Sequence, residues 1–254
     1  MEKTESKIFV MTHKPYSMPK DPIYQPLLVG STFKPDLEGV DGYLKDDTGD
    51  NISEKNKSYC ELTGLYWVWK NVDMDFCGLV HYRRLFASPS DPKAPISGAE
   101  VKSLMVDTKL VLPRKRHYYI ETVQSQYAHA HSQKDLDVTR NALMELCPDY
   151  VPEFDALMKK RSLHILNMFI GRKSLVDEYC SWLFPILSYV EKNLDTSGYS
   201  DYNKRVFGFL SERLFNVWIS HNEIPYRTLK VLTLENQHWG RKVFDFLRRK
   251  FFGN

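Results

Sequence analysis

The run Phe76-Cys-Gly-Leu-Val80 limits the fold more than any other stretch, because it is apolar or small throughout with no polar alternation. Such a run fits a short strand covered on both faces, as in α/β sheets flanked by helices. It ends abruptly in His81-Tyr82-Arg83-Arg84, which places two guanidinium groups directly after the carboxyl end of a buried strand. In open α/β sheets, ligands occupy the crevice beyond those carboxyl ends. The planar guanidinium fork matches phosphate oxygens, so Arg83 and Arg84 point to a polyanion, most simply a diphosphate. Structural salt bridges are the alternative reading of the same pair.

The neighbouring segments extend this picture. Tyr59, Leu62, Tyr66 and Trp69 recur at three- and four-residue steps and predict a helix through Asn71. Asn51 followed by Glu54 reads as its capping box. Lys7–Thr12 is a second buried run, ended by His13-Lys14-Pro15. Residues 15–50, rich in turn formers, read as an ordered polar loop. Asp47 or Asn51 on that loop either touches ribose or base, or belongs to a solvated turn. The sequence contains no G-x-G-x-x-G and no Walker loop, which argues against dinucleotide and P-loop sites.

Further along, Ser88–Pro95 is breaker-rich and reads as a mobile surface loop or lid. Lys109–Leu112 predicts a strand stopped by Pro113, and Arg114-Lys-Arg116 then forms either a solvated edge or part of an anion pocket. His129 and His131 are two apart, a poor metal pair on a helix; they read as contacts to a hydroxyl-rich substrate or as surface. Leu136–Leu146 and Val151–Lys159 predict short helices. His164–Gly171 predicts a strand containing Asn167, which, if buried, must be hydrogen-bonded and either braces a loop or faces a ligand. A long helix beginning at Ser174 and Asp177 is expected to kink at Pro185. A final helix over Lys204–Ser220 carries Glu212, the candidate general base, and Leu229–Leu234 predicts a closing strand.

Composition limits the class of partner. Thirty-five basic residues nearly balance 32 acidic ones, so nothing requires nucleic acid. Cys60, Cys77, Cys147 and Cys180 form no C-x-x-C pattern, which predicts reduced thiols in a cytoplasmic protein. No apolar run reaches the length of about 18 residues that would mark a membrane-spanning helix. From Trp239 to Phe252, five basic and five aromatic residues suit either an interfacial helix on an anionic membrane or a docked terminal helix.

Three segments, Lys7–Tyr16, Asp46–Asn56 with Tyr59–Trp67, and Gly78–Arg84, carry a wider resemblance, joined by Asn167-Met-Phe169 and Glu212-Arg213. Together they resemble a family of bacterial capsular and exopolysaccharide glycosyltransferases, often described only as a domain of unknown function, with some members described as galactofuranosyltransferases. The resemblance implies a GT-A-like α/β fold: a Rossmann-type mixed sheet flanked by helices, with a helical C-terminal half. Residues 1–236 are expected to form one domain, followed by a tail at 237–254. The implied reaction moves a hexose from a nucleotide-diphosphate sugar, UDP-linked, to a lipid-linked glycan acceptor at the inner face of the plasma membrane.

On this reading Thr12, His13, Lys14, Asp47, Asn51, Asn56, His81 and Arg84 bind the nucleotide sugar. Gln126, His129 and Asn167 contact the acceptor or sugar. Arg83 and Arg84 stabilise the leaving diphosphate, and Glu212 acts as base, with Asp47 and Glu61 as runners-up. General GT-A practice places an Asp-x-Asp at a strand end to hold a metal, whereas the D-x-D here, Asp73-Met-Asp75, precedes its strand. The expectation is therefore no metal cofactor, with the arginines and Lys14 in its place. Mn²⁺ or Mg²⁺ held by His81 with Asp46 or Asp47 is the alternative. Two other functions fit the same residues: a different phosphate-handling transferase, or a non-catalytic glycan-binding module.

Overall fold

The computed structural model describes residues 6–234, so the expected tail at 237–254 lies outside the described residues. Its centre is a mixed sheet in the order β10-β6-β9-β4-β1-β2-β3. The strands are β1 (Lys7–Thr12), β2 (Tyr24–Leu28), β3 (Leu44–Lys45), β4 (Phe76–His81), β6 (Leu110–Pro113), β9 (Phe169–Arg172) and β10 (Arg227–Leu229). Along this path only β9 runs against its neighbours. The carboxyl ends of β1, β4 and β6 therefore share one edge, and the chain entering β9 arrives at that same edge.

Side-chain alternation on β1 shows why both faces must be covered. Phe9 and Met11 join the larger core beneath the helices, while Ile8 and Val10 join a second core on the opposite face. Helices α2 (Leu62–Asn71), α7 (Lys173–Asn193) and α8 (Val206–His221) contribute to the first core and α3 (Gly98–Asp107) to the second. Helices α4 (Val123–Ala130), α5 (Gln133–Leu146) and α6 (Val151–Lys159) complete the helical C-terminal half. Gly64 lets α2 lie close to the sheet, since a Cβ there would come 2.5 Å from the Met11 sulfur.

Several sequence expectations need correction. The loop expected over residues 15–50 contains β2 and β3. Pro26 hides β2 in the sequence, yet the structure accommodates it. Val29 N–H bonds to Thr12 O and Leu28 O accepts from Asp46 N–H, so alternate residues face β1 and the even-numbered ones face β3. Because β3 pairs only with Leu27 and Leu28, no ladder bond is lost at Pro26. The strand expected over Leu229–Leu234 is two strands, β10 pairing with β6 and β11 (Val231–Thr233) pairing with β5 (Arg84–Phe86). The long helix passes through Pro185 and starts at Lys173, with no side-chain cap. Ser88–Pro95 is an ordered turn: the Ser88 hydroxyl accepts from Ser90 N–H and Asp91 N–H at 3.1 Å each and donates to Glu100.

The helix expected through Tyr59–Asn71 is broken. A 3-10 turn over Ser53–Lys55 leads into α1 (Asn56–Tyr59), and Cys60 then reverses the backbone at φ 54° and ψ −128° before α2 begins. A non-glycine residue there costs about 1–3 kcal/mol. Asn56 offsets part of this by donating from Nδ2 to Cys60 O at 2.7 Å and to Thr63 Oγ1 at 3.0 Å. The Asn51–Glu54 capping box does not form; Asn51 Oδ1 instead accepts from Ser53 N–H at 3.2 Å.

Candidate active site

A cleft of about 650 Å³ opens at the shared strand edge. One wall comes from the exits of β1 and β4. Thr12 turns the chain after β1, its hydroxyl donating to Lys14 O at 2.6 Å. After β4 the chain folds straight back, with His81 paired to Arg84 across a Tyr82-Arg83 turn. Arg83 thus stands at a hairpin tip and Arg84 opens β5, so the pair does not simply trail off the strand. Buried Tyr82 supports the turn, its ring edge-on to His13 at 5.2 Å, with Arg83 4.9 Å and Lys14 5.5 Å from its centroid.

This wall is cationic. His13 is held below its ordinary pKa, first by burial and then by Lys34, Arg83, Lys14 and Arg205. Four positive charges around one imidazole favour a bound anion. Arg205, at the start of α8, donates from Nε to Cys60 Sγ at 3.2 Å, so the break after α1 places it beside the strand exits.

The opposite wall carries carboxylates. Glu212 on α8 accepts from Leu166 N–H at 2.7 Å and from Arg213 Nη1 at 2.9 Å. Its pKa is raised by burial and further by Glu61, against the lowering pull of Arg213, the Leu166 amide and Arg116. Glu61, in the short link after Cys60, accepts from Asn167 Nδ2 at 2.7 Å. Both carboxylates thus hang on the Leu166–Asn167 turn, where both residues take positive φ, 83° and 48°. His81 closes the network by donating from Nε2 to Leu166 O at 2.6 Å. Asn167 also donates to Gly208 O at 3.0 Å and accepts from Ser211 Oγ at 3.0 Å.

Of the residues expected at the site, Thr12, His13, Asn56, His81, Arg83, Arg84, Gln126 and Glu212 line the cleft. Others are placed elsewhere. Lys14 sits behind Tyr82 at the rim. Asp47 and Asn51 lie on the loop around Asp46, away from the lining. Asn167 is 6% exposed and holds Glu61, so it braces the site where substrate contact was expected. Gln126 faces the cleft but accepts from Arg213 Nη2 at 3.3 Å. His129 is paired with Glu121 at 2.6 Å on the surface; its neighbour His131 faces the cleft instead, stacked 4.1 Å from Phe209. The strand expected over His164–Gly171 begins only at Phe169, because the turn precedes it.

Of the two acids weighed with His81 for a cation, Asp46 is already saturated. Asp46 is fully buried and accepts five hydrogen bonds, from Gly30 N–H, Ser31 N–H and the hydroxyls of Ser31, Ser53 and Thr63. His81 Nε2 is committed to Leu166. Among the described residues, no cluster of three or more His, Cys, Asp or Glu side chains forms a metal-holding group. The Asp73-Met-Asp75 motif precedes β4, at the opposite end of the sheet from the cleft.

Cleft residues to which sequence reading gave no role include Lys57, Tyr202, Arg205, Phe209 and Arg213. Arg213 was within sight as the neighbour of Glu212. Arg205 and Tyr202 lie in the polar run leading into α8, which carries no spacing signal of its own.

The fold has a solved counterpart. The apo structure of WbbM, titled a bifunctional glycosyltransferase, matches with a TM-score of 0.83 and 28% identity, over 91% of this chain and 46% of that one. The two share a GT-A-like fold, and this chain spans about half the length of its counterpart. No curated protein matches it in sequence. The family model titled "Domain of unknown function (DUF4422)" matches residues 7–223, and the chain belongs to that family.

Proposed function

We propose that this protein is a glycosyltransferase that moves a hexose from a nucleoside-diphosphate sugar, UDP-linked, to a hydroxyl of a growing cell-surface glycan. One observation carries the reading: a cationic wall at the strand exits faces a pair of carboxylates across one cleft. Arg83, Arg84 and Arg205 suit the diphosphate, and Glu212 with Glu61 suits the acceptor hydroxyl. The resemblance to WbbM supports a glycosyl-transfer role, and some members of the family that the sequence resembles are described as galactofuranosyltransferases.

In the proposed step the bond from the anomeric carbon to the diphosphate oxygen breaks, and its electron pair leaves with the nucleotide. The guanidinium groups receive that charge in a site they already occupy, so little reorganisation is needed. The acceptor oxygen bonds to the anomeric carbon while Glu212 takes its proton. Burial and the nearby Glu61 charge make Glu212 a stronger base than a solvated glutamate. The saturated Asp46 and committed His81 favour arginine over a divalent metal as the partner of the diphosphate. The basic aromatic tail at 237–254 is proposed to meet an anionic membrane that carries a lipid-linked acceptor at the cytoplasmic face.

Calorimetric titration of UDP, with and without chelator, tests this reading. Binding that survives chelator and weakens by about tenfold or more in Arg84→Ala is expected. Binding that appears only with Mn²⁺ or Mg²⁺ would overturn the arginine-held diphosphate.

A further inference from the structure

The turn after β7 (Arg116–His117) carries apolar side chains that the fold does not use. Tyr119 is 83% exposed and Ile120 69% exposed. The turn is nevertheless well held. Tyr118 N–H donates to Arg161 O and Val123 N–H to Lys160 O, both at 2.8 Å, and Ile120 N–H donates to Tyr118 O at 2.6 Å. Arg161 Nη1 also donates to Tyr119 O at 3.2 Å, and Tyr119 takes a φ of 56°, costly for a bulky residue. The pairing of β7 with β8 (Ser162–Leu163) brings a second basic segment beneath the tip.

The surroundings are basic. Arg114, Lys115, Lys159, Lys160 and Arg161 are exposed around the two apolar side chains. The acid nearest in sequence, Glu121, is already paired with His129 at 2.6 Å. We propose that this tip docks on an anionic lipid bilayer. Tyr119 and Ile120 enter the headgroup region, while Lys115, Lys160 and Arg161 meet lipid phosphates.

Charge and shape favour a bilayer over a protein. A stable protein interface needs about 800 Å² per partner, far more than two protruding side chains offer. Two interfacial anchors ringed by cations are sufficient for reversible attachment to a negative surface. Tyr118 and Arg116, on the same turn, line the cleft. Docking would therefore set the cleft mouth beside the bilayer, where a lipid-borne acceptor would be. That consequence rests on the glycosyltransferase reading, whereas the docking itself does not.

The test is co-sedimentation of the full chain with phosphatidylcholine vesicles, with and without phosphatidylglycerol. The wild type is expected to bind the anionic vesicles alone. Tyr119→Ser/Ile120→Ser should lower the partition by about tenfold or more. Lys115→Glu/Lys160→Glu should lower it by a similar factor and flatten its dependence on salt. UDP titration of both variants should match wild type, which separates failure of docking from failure of the donor site. The proposal is overturned if the wild type ignores anionic vesicles. It is equally overturned if both variants bind as wild type does, which would assign attachment to the tail. A variant that changes oligomeric mass on size exclusion while keeping its vesicle binding would mark the tip as a protein interface and overturn the proposal as well.

Discussion

Two carboxylates in this molecule, Asp46 and Glu212, each sit in a polar knot but do different work. Asp46 is enclosed completely, and five donors from three segments converge on its two oxygens. It ties the exit of β2, the 3-10 turn over Ser53–Lys55 and α2 into one unit, and no substrate can reach it. Glu212 has two protein donors, a side chain 17% exposed, and a second carboxylate close enough to raise its pKa. Saturation marks the structural acid; incomplete satisfaction beside a cleft marks the chemical one.

The sharpest way to break this contrast is to neutralise each acid in turn. Glu212→Gln should lower kcat per folded molecule by about 10²- to 10⁴-fold, the usual reach of a general base, with a smaller stability loss than at Asp46, because only Leu166 N–H or Arg213 Nη1 would face the new NH₂. Glu61→Gln should cost less, because Glu61 acts chiefly by raising its partner. If Glu61→Gln shows the larger loss in initial-rate assays, the two roles are reversed. The pH profile follows from the same assignment. Because the folded pKa of Glu212 lies above its ordinary value, activity should fall as pH drops through that raised value. The linkage to stability runs the other way. A carboxyl with a raised folded pKa favours the native state at low pH, and that contribution is lost as pH rises through the folded value.

Asp46→Asn should do the reverse. Whichever way the amide turns, its NH₂ meets the Gly30 amide and Thr63 hydroxyl, or the Ser31 and Ser53 donors. A buried network broken in this way costs about 3 kcal/mol. Denaturant titration should show that loss, while kcat per folded molecule stays within about twofold of wild type. A large kcat defect in a stably folded Asp46→Asn protein would erase the distinction between the two acids.

The same contrast explains what the sequence could and could not reveal. The observed bounds of β1, Lys7–Thr12, and of α6, Val151–Lys159, are those that periodicity predicts, because an apolar run or stripe is a local signal. Arg83 and Arg84 were legible for the same reason, since they follow a buried strand directly. The Leu166–Asn167 turn was not. Positive φ at Asn has a weak local signal, and at Leu it has none, so the segment reads as continuous strand. The break at Cys60 was hidden inside an otherwise helical pattern, and it is held by Asn56 and Thr63 on either side and by Arg205 from the distant start of α8. The arginine pair of the cationic wall could thus be read from one stretch, whereas Lys34 and Arg205 join it from elsewhere and the carboxylate wall is assembled from three distant segments.

The smallest expected effect tests the cationic wall without changing a residue. His13 sits below its ordinary pKa, first through partial desolvation and then because four cations surround it. A diphosphate bound among those cations would bring negative charge to the imidazole and favour its protonated form. The His13 pKa should therefore rise on saturation with UDP, as followed by NMR titration of the ring protons. His131, held down to about 4 chiefly by burial on the helical side of the cleft, provides the internal comparison. Its value should move less than that of His13, since burial dominates and, among the described residues, Arg213 is the cation that contributes. A shift confined to His131 would move the diphosphate to the α4–α8 side, and the strand-exit arginines would then have to be read as acceptor contacts.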